Sequence, residues 1–166
     1  MAIQTEQREL LRKLHNFADW QGSDAGAGPP VRGFQFKGNE LPGWELLKTR
    51  RTDAPQPPRL DTFWRPKGEA SDTLLGVHVI ECTSVPAARE ALLDLLADFQ
   101  SAVIVRRTDL NVGDVVFGQD LILVFARGNV VSFVRNAGRH IVSVIEPARL
   151  VDAHIARLLR EAGGQR

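Results

Sequence analysis

Residues 74 to 90, LLGVHVIECTSVPAARE, place His78, Glu81 and Cys82 inside one apolar run that leads into a proline-marked helix start. These are the residue types of a nucleophile, a general base and an orienting carboxylate. Their spacing argues against a local dyad. In a strand, side chains alternate, so His78, Ile80 and Cys82 share one face while Val77, Val79 and Glu81 take the other. Four strand steps put His78 roughly 13 Å from Cys82, whereas a nucleophile and its base must come within about 3 Å. Cys82 would need activation by the N-terminus of the following helix and a base from elsewhere, for which His140 is the candidate. A lone cysteine beside valines and isoleucines fits a small buried hydrophobe better.

Other reactive constellations are sparse. His15, His78, His140 and His154 lie in four separate elements, without the spacing of a helical or hairpin zinc site, and no metal is expected. Residues 109–120 have a calcium-loop flavour, but the glycine comes one place early and the twelfth position is Asp120, not glutamate. The chain contains no glycine-rich phosphate loop, no G-x-S-x-G and no H-E-x-x-H, and no cofactor is expected. Arg106, Arg107, Arg127, Arg135 and Arg139, with His140, would form an anion site if the strand ends brought them together. Alternating strand arginines also serve simply to keep an edge from pairing with another sheet. Pro55 and Pro58 stand in PxxP spacing, but the basic residue is wrongly placed for an SH3-type groove, which leaves a stiff loop.

The elements that must position these residues follow from periodicity. Residues 5–20 read as an amphipathic helix on Leu10, Leu11, Leu14, Phe17 and Ala18, with Thr5 as N-cap. QGSDAGAGPPVRG then marks a flexible linker at 21–42. Strands are expected at 44–51, 61–65, 73–83, 101–107, 114–118, 121–126 and 130–136. LILVFA, apolar at every position, calls for cover on both faces, and Gly128-Asn129 signals a tight hairpin. Helices are expected at 85–99, started by Ser84 and Pro86, and at 146–162, ended by Gly163-Gly164.

This order predicts an α+β fold: a mainly antiparallel sheet of about six or seven strands, two long helices packed on it, and an additional N-terminal helix that caps the other face or docks on a partner. A single domain suits 166 residues, with a core over 43–162. RRTD recurs at 50–53 and 106–109, and V-x-V-I-E at 77–81 and 142–146, which would fit two strand-helix halves. The pattern resembles small antiparallel-sheet sensor or accessory domains, and GDVVF followed by VFARGNVVSFV resembles uncharacterised bacterial domains. The likeness covers only the second half and implies no function.

Composition excludes several classes. Hydrophobic residues make up 43% and charged ones 25%, so neither a disordered nor a fibrous chain is indicated. The net charge of +1 hides only a mild tilt, −2 over residues 1–99 and +3 over 100–166, too small to point to nucleic acid. The single cysteine forbids an internal disulfide. No apolar stretch suits a signal peptide or membrane span, so a cytoplasmic location is expected if Met1 is the natural start. The excess of arginine over lysine suggests a GC-rich bacterial source. The expected function is a non-enzymatic, soluble binding or accessory domain whose partner is another protein or a second copy. The alternatives are an enzyme of unfamiliar type using Cys82 with a histidine, and a homo-oligomeric structural protein using the N-terminal helix.

Overall fold

The computed structural model describes residues 2–14, 28–68, 72–99 and 104–164. Its elements are α1 (Ala2–Leu14), β1 (Trp44–Thr52), β2 (Arg59–Pro66), β3 (Leu75–Glu81), α2 (Val85–Phe99), β4 (Val115–Gln119), β5 (Ile122–Arg127), β6 (Val130–Asn136) and α3 (Ile145–Gly164). Six antiparallel strands form one sheet in the order β1-β2-β3-β6-β5-β4. With α2 and α3 packed on it and α1 added, this is the expected α+β fold.

Two three-stranded meanders, each followed by a helix, meet where β3 pairs with β6. The recurring peptides do not mark equivalent places in them. V-x-V-I-E is β3 at 77–81 but irregular chain entering α3 at 142–146, and RRTD ends β1 at 50–53 but lies in the loop before β4 at 106–109. The two helices also cover opposite faces. Helix α2 packs through Ala88, Leu92 and Leu96 on a cluster with Cys82, Phe117, Val124 and Val131, whereas α3 packs through Ala148, Val151 and Ile155 on one with Val77, Val79, Leu123, Phe125 and Val134. Strand β5 lies between both helices, which is why residues 122–126 can be apolar on both faces, whereas Leu121 precedes the strand and is exposed.

Local signals explain the ends. The Ser84 hydroxyl accepts the Ala87 N–H at 3.2 Å and caps α2. Gly128, at φ 56°, turns β5 into β6 in a two-residue link. Gly118, at φ 126°, sits where a Cβ would lie 2.1 Å from the Ile122 carbonyl oxygen, so only glycine fits that end of the β4–β5 hairpin. Of the expected strand at 101–107, residues 101–103 lie outside the described residues and the rest contributes one bridge, Arg106 to Phe117, because the partner edge is only five residues long.

The segment expected as a flexible linker needs correction where it is described. Residues 31–41 form an irregular strap that completes the core on the α3 face, with Val31, Phe34, Phe36 and Leu41 all buried. Phe36 bridges two elements, edge-on to Trp64 of β2 at 5.4 Å and stacked on His154 of α3 at 5.6 Å. Buried polar groups hold the strap. The Asn129 side chain accepts the Val31 N–H at 2.8 Å and donates to the carbonyls of Val31 and Cys82, while Glu81 accepts the Phe34 N–H at 2.7 Å. An irregular segment can be buried only when its backbone is satisfied in this way.

The N-terminal helix differs from expectation in position. It begins at Ala2, so Thr5 lies within it and not at its N-terminus, and residues 15–20 lie outside the described residues. It packs on α2, through Arg8 to Glu90 and Asp94 and Arg12 to Glu90, and leaves Leu10 66% exposed. These exposed ion pairs contribute little to stability. Among the described residues no helix is long and apolar enough to cross a membrane.

The strap yields the first prediction. Replacing Phe34 with alanine should cost about 3–5 kcal/mol, as for an aromatic removed from a core. Urea denaturation measures this directly; a cost under about 0.5 kcal/mol would mark the segment as the surface connection its composition suggests.

Candidate functional site

Cys82 and His140 do not meet. Cys82 is 1% exposed, follows β3, and is fixed by hydrogen bonds between its own backbone and Asn129. His140 is exposed, and its N–H reaches the carbonyl of Asp72, before the opposite end of β3. The seven residues of that strand alone span roughly 23 Å. Burial, and secondarily the neighbouring Glu81 charge, pushes the Cys82 thiol up to about 11. A thiol so placed is not a nucleophile near neutral pH.

The strand arginines also stay apart. Arg107 lies by the β4 edge, clamped by Asp109 at 2.7 Å and by Asp120 at 3.3 Å, with Arg106 beside it. Arg107 holds Asp109 down to about 2. Arg127 is on the other face of the sheet, bidentate to Asp152 of α3 at 2.5 and 2.7 Å with Asp114 at 3.6 Å, and its guanidinium is held charged chiefly by Asp152. That cluster fastens α3 to the sheet, and removing one partner would strand a half-buried charge. Arg139 and His140 stand exposed on the loop after β6. Arg135 joins an arrangement that spans three strands.

That arrangement is built on the α2 face by strand register. Asp61 of β2, His78 of β3 and Phe133 of β6 are cross-strand neighbours, as are Phe63, Gly76 and Arg135 one step along. The His78 Nδ1–H donates to Asp61 at 2.6 Å, and Arg135 donates its Nε–H to His78 Nε2 at 3.2 Å. Gly76 makes this possible. A Cβ there would come within 3.1 Å of His78 Nε2 and 3.3 Å of the Arg135 side chain, so the missing side chain is the slot in which Arg135 crosses β3 to lie 5.9 Å from the Phe63 ring centre.

An aspartate, an imidazole and a cation in line have the parts of a general base, but the free nitrogen of the imidazole is already taken by Arg135. Burial, opposed by Asp61 and assisted by Arg135 and Arg59, holds His78 below its ordinary value of 6.5. Asp61 is itself lowered, because its hydrogen bonds to His78 and Arg59 outweigh the burial that would raise it. His78 thus works as a neutral bracket that orients Arg135.

Beyond this bracket the face is open. Helix α2 covers β5 and β6 and ends at Phe99, whose ring is edge-on to Phe133 at 5.1 Å. Among the described residues no helix covers β1 or the outer side of β2 there. Lys48 pairs across from Phe63, Arg50 from Asp61, Thr52 from Arg59 and Glu45 from Arg65, so all eight side chains project from this face. Lys48, Arg50, Arg59 and Arg65 are exposed.

Periodicity had singled out His78 and Arg135 but not Asp61, Phe63, Lys48 or Arg50. The available signal was the alternation in RLDTFWR, whose odd members are Arg59, Asp61, Phe63 and Arg65. A cavity of about 310 Å³ opens near the start of α2, between Pro29, Pro30, Arg89 and Leu159. Its Ser84 caps the helix and its Asn129 holds the strap, so neither is available for chemistry. Among the described residues no three His, Cys, Asp or Glu side chains gather to hold a metal. No protein-family model matches the chain, and neither a curated protein nor a solved structure matches it.

Two outcomes follow. Iodoacetamide should modify Cys82 only after denaturation, and rapid labelling of the folded protein near neutral pH would contradict its burial. Stability should fall with acid. His78 and His154 are both held below 6.5 chiefly by burial, so the unfolded chain takes up protons first, and stability present above about pH 6.5 is lost below it. The urea midpoint should drop between about pH 7.5 and 5.5, and drop less in a His78→Gln/His154→Gln variant. An equal drop in that variant would assign the effect to other groups.

Proposed function

We propose that this chain is a non-enzymatic binding module that holds an anionic partner on the open face of β1 and β2. The observation that carries this reading is the charge of the uncovered surface. Among the described residues of β1, β2, β3 and β6, Lys48, Arg50, Arg59, Arg65 and Arg135 share it with only Glu45 and Asp61, although the whole chain is nearly neutral. Arg59 is tied to Asp61 and Arg65 to Glu45, each pair with one bond drawn from the guanidinium Nε, at 2.8 and 2.9 Å. Their remaining N–H groups suit a planar anion. Lys48 and Arg50 have no ion-pair partner among the described residues.

The same geometry weighs against catalysis. The thiol is buried, the imidazole nitrogens of His78 are both occupied, and among the described residues Cys82 and His140 do not meet. The Asp61–His78–Arg135 bracket supports the binding reading instead, because it holds a cation rigidly at the inner margin of the open face.

Labelled poly-L-glutamate tests the reading by fluorescence anisotropy. Binding should be clear at about 20 mM salt and much weaker at about 150 mM, since exposed charges are screened. It should be lost in a Lys48→Glu/Arg50→Glu variant and kept when Arg160, an exposed residue of α3, is reversed. Equal loss in both variants would mean that overall charge, and not this face, attracts the polymer.

A further inference from the structure

We infer that the partner is an acidic protein segment in extended conformation that adds to the sheet as a further strand along β1. This rests on the anion-binding reading and adds the class of partner and its mode of attachment. Strand β1 is an outer strand of nine residues. Apart from the ladder with β2, its backbone makes one backbone hydrogen bond among the described residues, from the Trp44 N–H to the Leu41 carbonyl. An outer strand offers outward N–H and C=O groups to a peptide, which can answer both.

The side chains select the charge of that peptide. Lys48 and Arg50 are two residues apart on one face, roughly 7 Å along the strand. An extended peptide repeats its side chains at the same distance, so acidic residues at alternate positions meet both cations. A register shift between Leu46 and Lys48 breaks the ladder, leaving Lys48 to Thr52 as the regular stretch. The docked segment is therefore about five residues long. On the opposite side of β1, Arg51 is engaged by Asp53 at 2.8 Å and by the Phe34 carbonyl at 3.0 Å, so selection falls to the Lys48 and Arg50 face.

Two other occupants fit less well. A second copy pairing antiparallel through β1 would set the Lys48–Arg51 stretches of two chains against each other, which like charges oppose. A single-stranded nucleic acid would use the rings for stacking. Here Phe63 is engaged by Arg135 and by the edge of His78 at 5.9 Å, while Phe133 lies between His78 at 5.3 Å and Phe99 at 5.1 Å. These rings are packed against neighbours and offer poor platforms for bases.

The experiment titrates the full-length ¹⁵N-labelled protein, at low ionic strength, with a peptide of sequence Glu-Thr-Glu-Thr-Glu. The same peptide with alternate backbone nitrogens methylated is run beside it, as is an oligothymidylate of about ten nucleotides. Saturable binding is expected, with amide shifts confined to Glu45–Thr52 and the adjoining part of β2. Backbone methylation should weaken it at least about tenfold, as should Lys48→Glu/Arg50→Glu in a protein whose melting is unchanged.

Equal binding of the methylated peptide, with loss on charge reversal, would overturn strand addition while leaving the anion-binding reading intact. Shifts centred away from β1 would do the same. Tighter binding of the oligothymidylate, lost in the reversed variant, would replace the protein partner by nucleic acid. Failure of the peptide alone, with poly-L-glutamate still bound, would overturn the inference. Failure of every probe would overturn both readings.

Discussion

The antiparallel pairing of β3 with β6 is the constraint on which the other arrangements depend. It joins the two meanders, and its register decides which side chains enter which core. With His78 opposite Phe133, the residues His78, Ile80 and Cys82 face α2, while Val77, Val79 and Glu81 face α3 and the strap. A slip by one residue would exchange these sets, and would bury His78 among aliphatic side chains while turning Val77 and Val79 to the half-open face. Matching two differently composed faces at once is what fixes the register.

Among the described residues the α3 face is complete and the α2 face is not, and the difference lies with the strap. Helix α3 covers β5 and β6, and Phe34, Phe36 and Leu41 extend that cover to Trp64 and Leu60 on the first meander. The polar residues that allow this, Asn129 and Glu81, sit in the apolar context of the central strands, and each is satisfied by strap backbone. They carry no chemistry of their own. On the opposite face α2 has no such extension among the described residues, and the side chains of β1 and β2 there are mostly charged and half-buried or exposed.

On that face the bracket of Asp61, His78 and Arg135 marks the margin between covered and uncovered sheet. Strand neighbours deliver each member, and Gly76 provides the space in which Arg135 reaches across. Preorganised cations bind with less loss of side-chain freedom than free ones. Arg135 is held in this way, whereas Lys48 and Arg50 at the outer edge have no ion-pair partner among the described residues.

The sequence by itself determined many of the elements: the alternation in β2, the apolar run 122–126 of β5, the Gly128-Asn129 hairpin and the faces of α2 and α3 are local patterns, and the structure follows them. It also determined that His78 and Cys82 could not act together, since strand geometry alone separates them. Tertiary structure decided the rest. That a Gly/Pro-bearing stretch ends in a core strap depended on Asn129, almost a hundred residues away, supplying hydrogen bonds that local composition does not reveal. That Arg127 is fastened to α3, Arg107 to its own loop and Arg135 to His78 depended on strand order, so six basic residues alike in sequence came to do different things. The open face exists because two helices that follow similar meanders pack on opposite sides of one sheet, and side-chain periodicity, which shows that a strand has two faces, does not show what covers them.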